Sequence, residues 1–446
     1  MKRSVKVSGK IVNLLYVMAI ASFTCELSTS FMAFAQPTNP APSYTPTPKL
    51  SSELSVEELA KRKAWRENMA KTPTPKYGCF KSTYPNTQWE EVPCTTAPDR
   101  PYPRAVGPRQ DIVGGGGGFA AQAAGSISDA VGFFDSATST ISETGGANNF
   151  SLQLNTNQFN TASCTPPAPV PASPSCQGWQ QFIYSNSGSG FIQYWLLGYF
   201  DNRPTCTSDC CPSGWNTFKP TASIPGAPGC WRNSDPQHTV RIPVVTLTAA
   251  TLIDLNLIGR VTANTDTVTV ATGPLASNIY TATAPTVLNL ANNWQIAEFN
   301  IFGDGNSSQV NFIDGSTIDV RIDVGGFAAC AAGGFTAETN NLTLVPPCCT
   351  YTTDPPGGGG IMFTESNAAG AKSRCDQGPH CLPLGASCSV PGEGCCATFG
   401  EAECRNNVCV RRVPPPSCNG RPTPTQACGV GWHCCDTDGW ICGQCR

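Results

Sequence analysis

Between Asp111 and about Asn367 the chain alternates apolar and polar residues with a period of two. VTANTDTVTVATG (261–273), NIYTATAPTVLNL (278–290) and STIDVRIDV (316–324) interleave β-branched with polar side chains, and turn signals separate them at short intervals. Each reads as a strand with one buried face. Helical periodicity is weak here and confined to 118–135. Some 250 residues of this pattern suit one large β-sandwich better than repeated small domains. The one convincing helix lies earlier, in ELSVEELAKRKAWRENMAK (53–71), where Leu54, Leu59 and Trp65 are the apolar points and Ser52 or Ser55 can cap the start.

Two strands carry a polar residue among apolar neighbours. In FIQYWLLGYF (191–200), Phe191, Gln193, Trp195, Leu197 and Tyr199 share one face, with Ile192, Tyr194, Leu196 and Phe200 on the other. In WQIAEFNIFGDG (294–305), Trp294, Ile296, Glu298 and Asn300 share a face if the segment is extended. An amide so placed must find partners or cost roughly 1–3 kcal/mol. A partly buried carboxylate has a raised pKa and can take a proton from water. A primary amide beside it can hold that water and offer its N–H to a developing oxyanion. Gln193 and Glu298 are therefore the candidate catalytic pair, with Trp195 and Trp294 as candidate substrate-binding residues. Core filling is the plainer role for Trp179, Trp215 and Trp231, and a structural role for Glu338 and Glu365.

Composition narrows the setting. Charged residues make up 13% of the 446, against about 25% in an average soluble chain, and the net charge is −3. That balance gives no case for nucleic acid or an anionic membrane as partner. Lys2, Arg3, Lys6 and Lys10 precede the apolar run IVNLLYVMAIASF (11–23), and Ala33-Phe34-Ala35 forms a cleavage site, so residues 1–35 read as a secretory signal. The mature protein is expected to be extracellular, free of the membrane and monomeric. Of the 25 cysteines, Cys25 lies in the signal and leaves an even 24, as expected for disulfides in an oxidising compartment. With three histidines and no paired C-x-x-C units, no metal or other cofactor is expected. G-x-S-x-G, H-E-x-x-H and Walker A motifs are absent, VGGGGGF (113–119) reads as a flexible linker, and His238 has no ordered partner in NSDPQHTV. Asn149, Asn306 and Asn341 open N-x-S/T sequons, which mark surface positions.

The chain divides accordingly. Residues 36–110 form a Pro-rich linker and helical pro-segment, in which Cys79 and Cys94 are expected to pair across a short loop. Residues 111–372 form the β-sandwich. Two small cysteine-rich modules follow, at 373–412 and 413–446, too small for a self-sufficient core. The first has the spacing C-x6-C-x6-C-C-x7-C-x4-C and resembles the inhibitor cystine knots (knottins). That resemblance implies the pairs Cys381–Cys396, Cys388–Cys404 and Cys395–Cys409. The second block, 418–445, is a looser match.

IQYWLLGY, and W-x-x-AEF-x-x-x-x-G followed by VNFIDGSTIDVRI, resemble the two catalytic strands of the glutamic peptidases of the eqolisin type. The resemblance covers residues 145 to 330. It implies a concanavalin-like β-sandwich, a pro-segment, and acid endopeptidase activity from one Gln and one Glu on the concave sheet. Gln193 falls on the family's Gln and Glu298 on its Glu. The related neprosins use two glutamates. This chain departs from the pattern in a cysteine-rich insertion (206–230) and in the glycine loop after Glu298. The expected partner is a protein or peptide substrate. The rival readings are a non-catalytic sandwich that binds glycans or a surface through its tryptophans, and a carrier of inhibitor-like or toxin-like knots.

Overall fold

The alternating segments form two antiparallel sheets, and their apolar faces meet in one core. The computed structural model describes residues 56–371 apart from 107–111, 115–116, 139–148, 167–171, 202–209, 327 and 355–357, together with six short strands between Cys381 and Gly443. Among the described residues the larger sheet has eleven strands. Its centre runs through Thr317–Gly326, Asp129–Ala137, Asn256–Val261, Thr265–Thr272 and Asn278–Pro285. The smaller sheet has nine, in the order Ala328–Ala332, Phe119–Ala123, Ile296–Gly303, Phe150–Thr156, Gln177–Ser185, Ser189–Leu197, Gly229–Asn233 and Asn216–Phe218, with Val240–Arg241 added beside Ser189–Leu197.

Aromatic side chains join the sheets. Phe134 of the larger sheet meets Phe299 of the smaller at 5.2 Å between ring centres. Gly132 faces the same ring, and a Cβ there would lie 2.0 Å from Phe299, so only glycine allows the sheets to approach this closely. Leu152, Leu154, Phe182, Ile192, Tyr194 and Leu196 fill the same layer, all fully buried. Each such side chain stabilises the fold by about 1.5–3 kcal/mol relative to exposure.

The strands expected at 261–273, 278–290 and 316–324 form as Thr265–Thr272, Asn278–Pro285 and Thr317–Gly326. The weak helical signal at 118–135 is overruled. Phe119–Ala123 and Asp129–Ala137 are strands, one in each sheet, because neighbouring strands on either side complete their backbone hydrogen bonds. The expected helix spans Val56–Lys71. Its block is joined to the sheets by strand pairing: Gly78–Thr83 adds to Asn278–Pro285 along six residue pairs. Cys79 and Cys94 are bonded as expected, and Cys164–Cys176, Cys211–Cys230 and Cys330–Cys349 are further disulfides. The Cys211–Cys230 bond ties down the cysteine-rich insertion. In the C-terminal region Ala402–Arg405 and Val408–Arg411 form a short hairpin. The side chains of Cys381, Cys388, Cys395, Cys396, Cys404 and Cys409 lie outside the described residues. No helix among the described residues is long and apolar enough to cross a membrane.

Candidate functional site: an amide row under a proline-rich strap

Strand register lines up five polar side chains across the smaller sheet. Glu298 is opposite Asn155, Asn155 opposite Gln181, Gln181 opposite Gln193, and Gln193 opposite Asn233. The row lies on the face turned away from the larger sheet, since Phe182 and Phe299, the chain neighbours of Gln181 and Glu298, point into the inter-sheet core. The row is bonded along its length. The Trp195 indole N–H donates to the side-chain oxygens of both Gln193 and Gln181, at 3.0 Å each. Gln181 Nε2 donates to Asn155 Oδ1 at 3.0 Å and to Gln153 Oε1 at 3.2 Å. Asn155 Nδ2 donates to Glu298 Oε2 at 2.9 Å. From Gln181 through Asn155 the amide donors point toward the carboxylate.

Glu298 is buried in a cradle of backbone N–H groups. Gly334 N donates to its Oε1, and Phe335 N lies 3.1 Å from both oxygens. Gly333 and Gly334 permit this approach: a Cβ on Gly333 would lie 2.9 Å from Oε1, and Gly334 has a φ of +83°. Burial pushes the Glu298 pKa above the ordinary glutamate value, while the bonds from Asn155, Gly334 and Phe335 and the charge of Arg104 oppose the rise. Two further acids lie close by. Glu338 accepts from Ser307 N at 3.1 Å and from the Thr336 hydroxyl, and burial raises its pKa to about 8. Asp304 is buried beside Ser185, whose hydroxyl donates to it at 2.9 Å.

A segment of the N-terminal block lies across this face, with a turn at Pro98–Arg100. From Ala97 to Ala105, APDRPYPRA, its backbone bonds on both sides. Gln193 Nε2 donates to the Arg100 carbonyl at 3.1 Å, and Tyr102 N donates to Gln193 Oε1 at 2.7 Å. Asn306 N, Ala337 N and Ala227 N donate to the carbonyls of Pro101, Pro103 and Arg104, while Ala105 N donates to the Phe335 carbonyl. Asn233 Nδ2 donates to the Pro98 carbonyl at 2.9 Å. Pro101 and Pro103 have no N–H to leave unpaired. Its two arginines meet the acids: Arg100 pairs with Asp304, and the attraction between Arg104 and Glu298 accompanies a guanidinium 5.1 Å from the Phe335 ring centre. The strap is bound as a peptide would be bound.

Gln193 is therefore a satisfied amide, with both bonds of Nε2 and both of Oε1 filled: Asn233 Oδ1 accepts the second N–H at 2.7 Å. It shares a face with Glu298, as the alternation implies, but two strands separate them. Three inter-strand spacings put their backbones roughly 14 Å apart, whereas one bridging water spans only about 6 Å. Gln181 is the glutamine nearer to Glu298. It was missed although its strand, QGWQQFIYS, carries the same mark as 191–200, a carboxamide inside an apolar strand. Asn155 in FSLQLNT and the AAGGF glycines carry similar marks.

The tryptophans part company. Trp195 lies beside both glutamines, but it is buried, 6.1 Å from Trp179 and 6.4 Å from Trp231 between ring centres. Trp294 is on the opposite side of the sheet, stacked on Phe182 at 5.5 Å in the inter-sheet core. The alternation that assigned it to the face of Glu298 fails because the strand begins only at Ile296, after a turn at Leu290–Asn292. Trp294 is a core residue. Among the described residues no group of three or more His, Cys, Asp or Glu is placed to hold a metal ion. Glu365, on the larger sheet, accepts from Asn300 Nδ2 at 2.5 Å, and burial raises its pKa to about 8.

No family model matches this chain, and no curated protein matches it. Among solved structures, a scytalido-glutamic peptidase crystallised with a peptide-based transition-state analogue is similar over 55% of this chain and 98% of its own, at 10% identity and a TM-score of 0.20. A similarity at that TM-score adds no argument to the geometry above.

Proposed function

We propose that the protein is a secreted acid endopeptidase of the glutamic type, built on a concanavalin-like β-sandwich, whose cleft is the outer face of the smaller sheet. The observation that carries this reading is the strap. A nine-residue stretch of backbone, turned at Pro98–Arg100 and open from Pro101 on, lies on a row of amides that ends in a buried carboxylate, and one glutamine holds both a peptide C=O and a peptide N–H. Such a face suits a peptide chain as ligand. Trp179, Trp195 and Trp231 are buried, with Arg104 of the strap 5.9 Å from the Trp179 ring centre.

In the proposed reaction Glu298, freed of the strap, takes a proton from water as the water oxygen attacks the carbonyl carbon. Gln181 holds the attacking water on its Oε1 and, on turning one Nε2 hydrogen away from Gln153, donates to the oxyanion of the tetrahedral intermediate, and Gln193 binds the substrate backbone. The intermediate then collapses. The C–N bond breaks and protonated Glu298 returns its proton to the leaving nitrogen, leaving a carboxylic acid and an amine. A base that must also serve as acid works best near its own pKa, so hydrolysis is expected to be favoured in acid. The strap is the resident inhibitor until it is cut or displaced.

The test is hydrolysis of an unfolded protein by the purified, acid-processed chain from about pH 2 to 8, beside Glu298→Gln, Gln181→Ala and Gln193→Ala. Glu298→Gln is expected to lower kcat at least 100-fold and Gln181→Ala by a similar factor, whereas Gln193→Ala should act mainly on KM. Cleavage that survives Glu298→Gln in a folded protein would sink the mechanism.

A further inference from the structure

The side chains of the strap mark out a pocket that peptide hydrolysis does not itself require. Tyr102 is fully buried, and its ring packs on Ala97, Ile183 and Phe191, the last at 5.8 Å between ring centres. Its hydroxyl donates to Asp304 Oδ1 at 2.5 Å. The other oxygen, Oδ2, takes the Ser185 hydroxyl and the Arg100 guanidinium. One buried carboxylate thus reads two side chains of the strap, two residues apart. Ile183 and Phe191 come from the strands that carry Gln181 and Gln193, on the same face. Asp304 lies just beyond the end of the Glu298 strand. The pocket therefore belongs to the same groove as the amide row, two residues along from the Arg100 carbonyl held by Gln193.

Resting on the reading of this groove as a peptide cleft, we infer that the Tyr102 pocket is a specificity subsite with Asp304 at its floor, selecting substrates that carry tyrosine two residues after arginine. The apolar wall takes any ring. The carboxylate separates tyrosine from phenylalanine, because phenylalanine leaves a buried acceptor short of a donor. Arginine at the Arg100 position supplies the countercharge that a buried carboxylate requires. Binding and selectivity thus depend on Asp304, and turnover on Glu298.

The test uses the full chain with Arg100→Gly and Tyr102→Gly, which empty the pocket and loosen the strap, in a Glu298→Gln background that prevents turnover. Fluorescent APDRPYPRA and its Tyr→Phe and Arg→Gln analogues are titrated by anisotropy. The tyrosine peptide is expected to bind at least 10-fold more tightly than the phenylalanine peptide. Adding Asp304→Asn should bring that ratio to within about 3-fold. Equal binding of the two peptides, or no binding of either, overturns the subsite, and neither result depends on the Asp304 variant folding. Selective binding here, with no hydrolysis by the processed wild-type chain, would keep the subsite and remove the peptidase reading. Hydrolysis without preference for tyrosine would do the reverse.

Discussion

The N-terminal block covers the outer faces of both sheets, and it holds them by different physics. On the larger sheet the Val56–Lys71 helix sets Trp65 and Met69 on Ala271, Ala276 and Ile279, an apolar contact with its polar atoms at the edges: Trp65 Nε1 donates to the Asn86 carbonyl at 2.6 Å and Arg66 to that of Leu275 at 3.2 Å. On the smaller sheet the strap rests on amides and acids, through hydrogen bonds and one buried ion pair. The helix contact excludes water from greasy surface, and Asp254, beside Arg66 of the helix, is the acid whose pKa burial raises there, to about 6. Apart from the Tyr102 ring on Ile183 and Phe191, the strap contact is a list of polar partners, some of which titrate. These are polar contacts that a second peptide could replace one for one.

The largest expected effect is in pH and comes from buried acids, of which Glu338 acts on the strap through Arg100. Burial raises the pKa of Asp266 to about 7 and those of Glu338 and Glu365 to about 8. The unfolded chain releases these protons near pH 4, but the fold keeps them to about 7 or 8. Unfolding therefore releases protons throughout that window, and raising the pH favours the unfolded chain. Stability should be greatest in acid and fall from about pH 4 to 8, lowering Tm by roughly 10 °C or more. Calorimetry at constant ionic strength checks it, and a Tm that rises over this range would show that these acids are not buried as described. A next, smaller effect belongs to the helix. Trp65→Ala removes a buried indole and should cost about 3–5 kcal/mol in denaturant unfolding, by the same amount at pH 4 and pH 7.

Much of this contrast can be read from the sequence, and the reason differs by element. Strands announce themselves because a period of two is a local property, so 261–273 and 316–324 are legible as they stand. The helix is legible through its charged face and its cap. Phe119–Ala123 is not, since its hydrogen bonds come from strands some 170 to 210 residues away in the chain. Glu298 and Gln193 stand out as polar residues in apolar strands, but their separation depends on register, and register depends on which strands lie between. Gln181 shows the limit clearly. Its own strand marks it as well as Gln193 is marked, yet only the pairing of Gln181 with Asn155 on one side and Gln193 on the other ranks it nearer the acid. Trp294 failed for a smaller reason, a strand start displaced by a turn. The strap was legible only as proline-rich chain, because its partners are backbone groups that no pattern reveals.

The smallest expected effect tests whether the strap is held as an ionic contact. Arg100 supplies the countercharge to Asp304, whose pKa burial raises while Arg100 opposes the rise. Asp304 sits above the ordinary aspartate value, so by itself it keeps its proton more tightly in the closed fold, and acid does not release the strap through this group. Arg100→Ala strips the countercharge and pushes that pKa higher still. At neutral pH the variant must either bury an unpaired carboxylate or take up a proton, and it should lose about 1–3 kcal/mol. In acid the variant's Asp304 takes up a proton more readily than the paired group does, and the loss should shrink. Limited proteolysis of the strap at pH 4 and pH 7 reads this directly: faster cutting of Arg100→Ala than of wild type at pH 7, and similar rates at pH 4. Equal acceleration at both values would mean that Arg100 holds the strap by packing its stem, as Trp65 holds the helix, and the two faces would then differ less than their chemistry implies.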